Sequence, residues 1–258
     1  MRVLFEIEDG IANVTINRPE RMNAVDPATE EELERIWAEI EADDAIRCVV
    51  LTGAGERAFS AGADMKSDSG KSGLEYWASL NPNGFGGIAM RKSLNVPVIA
   101  RVNGLALGGG MEMVLGCDIV IASQTARFGL PEAKVGRLPL DGGMVMLQRL
   151  IPEKIAAGLM LTGRMMSAQD AAAYGLVNAV VPAEKLDEEV QSWAQDIASC
   201  APLSIKAIKA TIRKTGHLTP HEARALSMPE LITALESEDA KEGVTAFREK
   251  RAPQWRGC

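Results

Sequence analysis

The chain begins with two segments in which hydrophobic and polar residues alternate, residues 3–8 and residues 12–17. Alternation with a period of two is typical of strands that bury one face. Asp9 and Gly10 lie between the two segments, and an Asp-Gly pair in this position favours a two-residue hairpin turn. The pattern therefore predicts a β-hairpin at the start of the sequence.

A helical period replaces the alternation after Asp26 and Pro27 and continues to Ala42. Asp followed by Pro is a common helix start, because the Asp side chain accepts from free N–H groups and Pro fits the first turn. Hydrophobic residues then recur on one face, namely Leu33, Ile36, Trp37 and Ile40. The pattern predicts an amphipathic helix whose apolar face joins the core.

Later segments divide the chain into a mixed part and a helical part. Hydrophobic runs at 47–52, 96–102 and 119–122 predict buried strands. After about Asp141 the periodicity predicts helices at 144–150, 154–161, 168–174, 184–199, 202–215, 220–237 and 239–250, with one short strand at 177–181. We therefore expect an α/β core over residues 1–182 and an α-helical region for oligomerisation over residues 183–258.

Residues 67–87 have the least regular pattern of the chain. They are rich in Gly, Ser and Asn but also carry Tyr76, Trp77 and Phe85. Two interpretations stay open, a mobile loop that covers a site and a plain surface linker.

Composition and charge exclude several classes of protein. The net charge is −7 and no run of Lys or Arg occurs, so we expect no nucleic-acid partner. The N-terminal alternation is unlike a signal peptide, and no segment approaches the ~18 apolar residues of a membrane span. The four cysteines form no Cys-x-x-Cys pair, which is typical of free thiols. We expect a cytoplasmic protein without a membrane partner.

A glycine-rich segment, residues 104–112, connects a predicted strand to a predicted helix. It contains three consecutive glycines, Gly108, Gly109 and Gly110, and it ends at Glu112. Glycines at a helix start leave backbone N–H groups open to an anion or to a developing oxyanion. A tight structural turn is the alternative, and the spacing does not fit a dinucleotide-binding fingerprint.

A second segment of small residues, 60–66, follows the strand predicted at 47–52. It can bring a second backbone N–H group to the same place, and two converging donors make a much stronger oxyanion site than one. The sequence therefore suggests an oxyanion site made from two separate segments.

Two carboxylates lie near these segments in the sequence. Glu112 stands between Met111 and Met113, and Glu132 follows Pro131. A pair of carboxylates can hold a water molecule and move a proton. A solvated surface charge is the alternative for either residue. His217 and His221 are separated by Pro220 and lack a metal-site pattern, so we expect no metal.

Six motifs in this order resemble the crotonase superfamily, also called the enoyl-CoA hydratase/isomerase family, over essentially the whole chain. They are Asn-Arg-Pro-x-x-x-Asn-Ala at 17–24, Ala-Phe-Ser-Ala-Gly-Ala-Asp-Met-Lys at 58–66, Asn-Gly-x-Ala-x-Gly-Gly-Gly-x-Glu at 103–112, Cys-Asp-Ile at 117–119, Phe-Gly-x-Pro-Glu at 128–132 and Glu-Gly-Val-x-Ala-Phe-x-Glu-Lys-Arg at 242–251.

The resemblance implies an α/β fold, a spiral of ββα units with an α-helical C-terminal trimerisation region. It also implies an acyl-CoA substrate, no separate cofactor, and a homotrimer or a dimer of trimers. The oxyanion donors would be the N–H groups of Ala63 and Gly109. Residues expected to contact coenzyme A are Ala61, Ala63, Asp64, Met65, Lys66 and Gly109, together with Phe247 and Lys250 reaching a neighbouring subunit's site.

Both glutamates match the positions that hydratases of this family use. The resemblance therefore implies reversible syn addition of water to a trans-2-enoyl-CoA, with Glu112 and Glu132 holding the water and Glu132 delivering the proton. An isomerase, or a dehydratase for a specialised acyl-CoA such as a carnitinyl or an aromatic one, is the alternative. A non-catalytic protein that binds CoA or RNA is a third.

One motif departs from the hydratase pattern Gly-x-x-Pro-Gly-x-Gly-Gly. At 136–143 this chain has Leu140 in place of a glycine, followed by Asp141. Asp141 is expected to cap the next helix, and a third acid/base is the other reading. Arg137 is either a surface charge or a contact for a polar acyl group.

Overall fold

The computed structural model describes residues 1–67 and 70–258, which contain ten strands and eleven α-helices. The strands are β1 (Val3–Glu8), β2 (Ile11–Ile16), β3 (Cys48–Gly53), β4 (Ala58–Ser60), β5 (Val98–Val102), β6 (Leu105–Leu107), β7 (Ile119–Ser123), β8 (Arg127–Gly129), β9 (Met166–Ser167) and β10 (Ala179–Val181). The helices are α1 (Pro27–Ala42), α2 (Gly73–Ala78), α3 (Gly109–Gly116), α4 (Gly143–Leu150), α5 (Glu153–Thr162), α6 (Ala168–Ala173), α7 (Leu186–Ala198), α8 (Pro202–Thr215), α9 (Pro220–Ala225), α10 (Pro229–Glu236) and α11 (Glu238–Glu249).

The larger sheet has the order β1-β2-β3-β5-β7-β10. Its first pair is the predicted hairpin, with β1 antiparallel to β2 and Glu8 opposite Ile11. Asp9 and Gly10 both have positive φ, 49° and 77°, as a two-residue turn of the favoured type requires. The remaining neighbours run parallel. The hairpin and the buried strands predicted from the sequence are thus confirmed.

A second, smaller sheet has the order β4-β6-β8-β9, and the hydrophobic pattern did not predict it. Its strands have only two or three residues, too few to show a period. β4, β6 and β8 each follow a strand of the larger sheet, and a helix follows each pair. This repeated strand-strand-helix order is the ββα spiral that the resemblance implied.

Helix α1 closes one side of the core with the predicted face. Asp26 accepts from the Thr29 N–H at 2.9 Å, so the helix starts where the Asp-Pro pair predicted. Trp37 is fully buried, and its indole N–H donates to the Gly86 carbonyl at 2.8 Å. The core face of α1 consists of Thr29, Leu33, Ile36, Trp37 and Ile40.

The C-terminal part consists of helices, with one difference from the sequence prediction. Helix α7 packs on β3, β5 and β7 and so covers the larger sheet. The single helix expected over 220–237 is wrong, because the structure has α9 and α10 there. Pro229 disfavours helical geometry at Met228, which is extended with φ −122° and ψ 135°. The boundary at residue 182 stays a prediction.

No helix in residues 1–67 or 70–258 is long and apolar enough to cross a bilayer. All four cysteines are free thiols, as predicted.

A buried arginine ties α1 to the segment that follows residues 85–87. Arg91 is 7% exposed and binds Glu41 through Nε at 2.7 Å and through Nη2 at 2.9 Å. Its Nη1 donates to Glu34 at 2.8 Å. Asn81 and Asn83 donate to the same Glu34 carboxylate. This network holds the end of the irregular segment against α1.

We expect Arg91→Ala to lower the free energy of unfolding by about 3 kcal/mol, the lower end of the range for breaking a buried pair, because Glu34 and Glu41 keep some solvent contact. The control Arg35→Ala removes an exposed pair with Glu39, which is worth only about 0.5 kcal/mol. Urea denaturation measures both variants. Equal losses in the two would contradict the anchoring role.

Candidate active site

Three parallel strands of the smaller sheet bring the predicted site segments together at their carboxyl ends. Ser60 of β4 pairs with Ala106 of β6, and Leu107 of β6 pairs with Gly129 of β8. The chain therefore leaves the sheet at three adjacent points, towards Ala63, Gly109 and Glu132. Carboxyl ends of parallel strands are a common place for ligand sites.

The N–H group of Ala63 is left open by the hydrogen bonds around it. The neighbouring donors are used within the fold: Ala61 N–H to Met22 O (3.0 Å), Gly62 N–H to Ser60 Oγ (3.1 Å) and Asp64 N–H to Val25 O (2.9 Å). Within residues 1–67 and 70–258, the Ala63 N–H has no acceptor. It is therefore available to a ligand.

Gly109 supplies a second open donor, because it is the first residue of α3. The preceding N–H, that of Gly108, donates to the Gly129 carbonyl at 3.0 Å, whereas the first N–H groups of a helix have no partner within the helix. A Cβ added to Gly62 would lie 2.8 Å from the Gly109 nitrogen. The two segments therefore touch, and only a residue without a side chain fits at position 62.

A buried ion pair fixes the loop that carries Ala63. Arg18 binds Asp64 at 2.9 Å and Asp26 at 3.1 Å, and all three side chains are about nine-tenths buried. Val25 also forms a parallel bridge with Ala63. Asp64 was predicted to contact coenzyme A, but its carboxylate is used to hold the loop. Beside it, Ala61 is half-buried, and Met65 and Lys66 are exposed and accessible to a ligand.

Glu112 lies in the first turn of α3 and is only 3% exposed. Its Oε1 accepts from the Gly143 N–H at 2.8 Å, which fixes the carboxyl group. Burial raises the pKa of Glu112 to about 8, and repulsion from Asp141 and Glu132 acts in the same direction, while the Gly143 hydrogen bond opposes it. The surface-charge alternative is wrong for this residue.

Glu132 lies at the start of a short 3₁₀ turn, Glu132–Val135, after β8. Its Oε2 is buried and has no hydrogen-bond partner in the described part of the chain. A Cβ on Gly108 would lie 3.2 Å from Glu132 Oε1, so this carboxyl group stands next to the open Gly109 donor. Burial raises the pKa of Glu132. An unpaired buried oxygen is costly, which marks this position as one that a ligand group completes.

Asp141 does not cap a helix, so that expectation is wrong. Gly142 is the N-cap of α4, and no side chain caps this helix. Asp141 is 6% exposed and accepts from the Tyr76 hydroxyl, with 2.5 Å between Oη and Oδ2. Burial raises the pKa of Asp141. Arg137 is exposed, and Leu140 is half-buried.

The described residues 70–87 of the irregular segment contact the site through Tyr76 and Phe85, which favours the covering loop over the plain linker. Helix α2 lies inside it and starts with a capping box in which Ser72 and Glu75 bond reciprocally. Tyr76 reaches Asp141 from this helix. Phe85 is buried, and a Cβ on Gly109 would lie 2.5 Å from its ring. The Ser-x-x-Glu pattern at 72–75 is the sequence signal from which this helix could have been predicted. Asp68 and Ser69, which belong to this segment, lie outside the described residues.

Phe247 and Lys250 lie at the end of the chain's last helix. Phe247 is 86% exposed, and Lys250 has the left-handed geometry of a helix end, with φ 56°. Helix α11 packs on α10, not on the strands that carry the site. Within one chain these two residues are therefore not brought to the oxyanion donors, and their contact with a neighbouring subunit stays a prediction.

Comparisons with known proteins identify the family. The model of the enoyl-CoA hydratase/isomerase family matches residues 6–258. An (E)-benzylidenesuccinyl-CoA hydratase from Thauera aromatica is 43% identical over 259 residues, which cover 100% of both chains. A carnitinyl-CoA dehydratase from Escherichia coli K12 is 39% identical over 251 residues, covering 96% of this chain and 95% of that protein.

Solved structures match over the same length. The enoyl-CoA hydratase from Mycobacterium tuberculosis H37Rv superposes with a TM-score of 0.91 at 34% identity, covering 100% of this chain and 99% of that one. The enoyl-CoA hydratase from Bacillus anthracis gives a TM-score of 0.91 at 34% identity, covering 100% of both chains. Fold, site geometry and family match together show that this chain belongs to the enoyl-CoA hydratase/isomerase family, the crotonase superfamily.

Proposed function

We propose that the protein is a hydro-lyase that adds water reversibly across the α,β double bond of a trans-2-enoyl-CoA thioester. The observation that carries this proposal is the arrangement of two carboxyl groups, the buried Glu112 and the half-buried Glu132 with its buried Oε2, beside two open N–H groups, those of Ala63 and Gly109. Hydration needs a group that takes a proton from water, a group that gives one to carbon, and donors for the oxygen that becomes negative. The site contains all three.

In the proposed reaction both glutamates hold one water molecule. The water oxygen bonds to Cβ, and the electrons of the double bond move through Cα onto the thioester oxygen. Ala63 and Gly109 stabilise that enolate-like oxygen through their N–H groups. Glu132 delivers a proton to Cα on the same face, and Glu112 takes the proton that the water loses. The unpaired Oε2 of Glu132 supports the role of this residue as the group that transfers a proton to Cα.

Coenzyme A would enter as part of the substrate, so no separate cofactor is needed. The exposed Met65 and Lys66 and the half-buried Ala61 are the residues of the Ala63 loop that we expect along its path. Phe247 and Lys250 would complete the path from a neighbouring subunit in a homotrimer or a dimer of trimers. Exposed apolar side chains on the C-terminal helices, including Ile212, Leu235 and Phe247, support such an assembly.

A panel of CoA thioesters tests the proposal directly. We expect loss of the enoyl absorbance band with crotonyl-CoA and with at least some longer or substituted enoyl-CoAs, and incorporation of ¹⁸O from labelled water at Cβ. A 3-enoyl-CoA that becomes a 2-enoyl-CoA without ¹⁸O incorporation would instead identify an isomerase. If every thioester is inert while CoA still binds, a non-catalytic role replaces this proposal.

A second candidate is a dehydratase for a specialised acyl-CoA. The buried Asp141 near Glu112 favours it, because a third carboxyl group is more than the hydration of a simple alkyl chain requires. The names of the two similar proteins, a benzylidenesuccinyl-CoA hydratase and a carnitinyl-CoA dehydratase, also point to substituted acyl groups. Dehydration is the reverse of the proposed step, so the same residues serve both.

The raised pKa of Glu112, about 8, predicts the pH dependence. Below this pKa the carboxyl group is protonated and cannot accept a proton from water, so kcat/KM for hydration is expected to rise with pH through about 8. Asp141→Asn removes a neighbouring negative charge and should move this rise in kcat/KM to lower pH. The control Asp187→Asn removes a charge from an exposed side chain and should not move it. A wild-type rise centred below pH 6 would contradict the assignment to Glu112.

A further inference from the structure

Tyr76 and Asp141 form a polar pair that connects the covering helix α2 to the catalytic carboxyl group of Glu112. The Tyr76 hydroxyl donates to Asp141 at 2.5 Å. Asp141 is two residues before Gly143, whose N–H binds Glu112 at 2.8 Å. The charges of Asp141, Glu112 and Glu30 all act on the Tyr76 hydroxyl. The pair therefore stands beside the carboxyl group of Glu112.

Asp141 has no basic partner among the described residues, unlike several less buried acidic groups of this chain. Arg18 binds Asp26 and Asp64, Arg91 binds Glu34 and Glu41, and Lys209 binds Asp118. The buried Asp239 instead accepts from the backbone N–H groups of Arg256 and Gly257. In residues 1–67 and 70–258 no Lys or Arg forms an ion pair with Asp141 or Glu112. Lys71 attracts the nearby Glu30.

Neither the fold nor the proposed chemistry accounts for this carboxyl group. Asp141 caps no helix, and Glu112 and Glu132 already supply the proton transfers. It is 6% exposed, and only one of its two oxygens, Oδ2, has a hydrogen-bond partner in the described residues. A buried carboxylate without a counter-ion is costly. A ligand that brings a positive charge removes that cost, and a ligand that brings a negative charge adds to it.

We propose that Tyr76 and Asp141 bind a cationic substituent of the acyl chain, a quaternary or protonated amine placed beyond the reacting carbons. The inference rests on the proposed function, in which the acyl chain runs past Glu112 towards this pair. An aromatic ring beside a carboxylate is a favourable partner for an alkylammonium group, through the ring face and the opposite charge. An uncharged alkyl group leaves Asp141 uncompensated, and a terminal carboxylate is repelled by Asp141 and Glu30.

Binding of saturated thioesters tests this inference without any turnover. The probes are trimethylammoniobutanoyl-CoA, its isostere with a tert-butyl group in place of the trimethylammonium group, and adipoyl-CoA with a terminal carboxylate. Titration calorimetry of the wild type should show the cationic thioester binding on the order of 100-fold more tightly than its isostere, and adipoyl-CoA binding most weakly. Equal affinity for the cationic probe and its isostere, or a preference for adipoyl-CoA, overturns the inference.

Variants test whether Tyr76 and Asp141 cause the preference for the cationic thioester. Asp141→Asn should reduce the preference for the cation to a few-fold, whereas the exposed-charge control Asp187→Asn should keep it. Tyr76→Phe retains the ring and should keep most of the preference, and Tyr76→Leu should lose much of it. Melting temperatures confirm folding, and Tyr76→Leu remains informative if Asp141→Asn does not fold. An unchanged preference in both Asp141→Asn and Tyr76→Leu overturns the inference.

The unsaturated forms of the same three thioesters separate this inference from the proposed function. Hydration of crotonyl-CoA and of the tert-butyl enoyl thioester without preference for the cation leaves the hydratase proposal in place and overturns only the cationic site. Tight binding of the cation with no hydration of any enoyl thioester supports the cationic site and overturns the hydratase proposal.

Discussion

Replacing Glu132 with Gln is expected to lower kcat for hydration by about 10²–10⁴-fold, the usual contribution of a positioned general acid or base. Glutamine has nearly the same shape, but its amide N–H is far too weakly acidic to deliver a proton to Cα. Its amide still fits beside Gly108, whose added Cβ would lie 3.2 Å from Glu132 Oε1. Because substrate contacts elsewhere are retained, KM should change by much less than kcat. Steady-state kinetics with crotonyl-CoA measures both constants.

The matched control is Glu153→Gln, the same change at the first residue of α5, an exposed position outside the site. We expect wild-type kinetics from this variant. Activity within a few-fold of wild type in Glu132→Gln would remove Glu132 from the mechanism, and Glu112 would then have to serve alone.

Ala63→Pro is expected to lower kcat by about 10²–10³-fold, equivalent to ~3–4 kcal/mol in the barrier, because it deletes one of the two oxyanion donors. Proline has no N–H group, and the Ala63 N–H makes no hydrogen bond within residues 1–67 and 70–258 that the fold would lose. The neighbouring bonds from Val25 N–H to Gly62 O and from Asp64 N–H to Val25 O remain possible. The loss should therefore appear in the chemical step.

Ala63→Ser is the control, since it adds a hydroxyl group at an exposed position but keeps the backbone donor. A circular dichroism spectrum and a melting temperature establish that the proline variant is folded. If folded Ala63→Pro binds a saturated acyl-CoA normally and retains full kcat, then Gly109 alone holds the oxygen and the two-donor site is wrong.

Local patterns predicted much of the fold because the residues that define it are adjacent in the sequence. Asp9-Gly10 between alternating segments fixed the hairpin, and Asp26-Pro27 fixed the start of α1. The smaller sheet could not be predicted in this way. Its strands, such as Leu105–Leu107, are shorter than two periods of alternation, and only pairing with distant segments gives them an extended form.

Part of the site could likewise be predicted from sequence motifs, and the rest became visible only in the folded structure. The small-residue segments indicated a two-segment oxyanion site, the family resemblance implied that its donors are Ala63 and Gly109, and the structure brings the two segments into contact. The partners of Asp141 were not predictable, because Tyr76 lies 65 residues away in the chain and reaches it only after α2 folds over the site. A local rule for helix starts gave a cap instead, and burial of the side chain overrode it.

The parts of the site lie on separate pieces of chain, and this separation has a consequence for how such an enzyme diversifies. The proposed oxyanion donors and both glutamates lie on the smaller sheet, on α3 and on the turns beside them, whereas Tyr76 and Phe85 come from residues 70–87. Arg91 holds the end of that segment from outside the site. Exchanging this one segment, together with residue 141, would retune the accepted acyl group while the catalytic machinery stays as it is. In an engineered library, the choice of acyl group could then be varied without changing the residues that set the turnover rate.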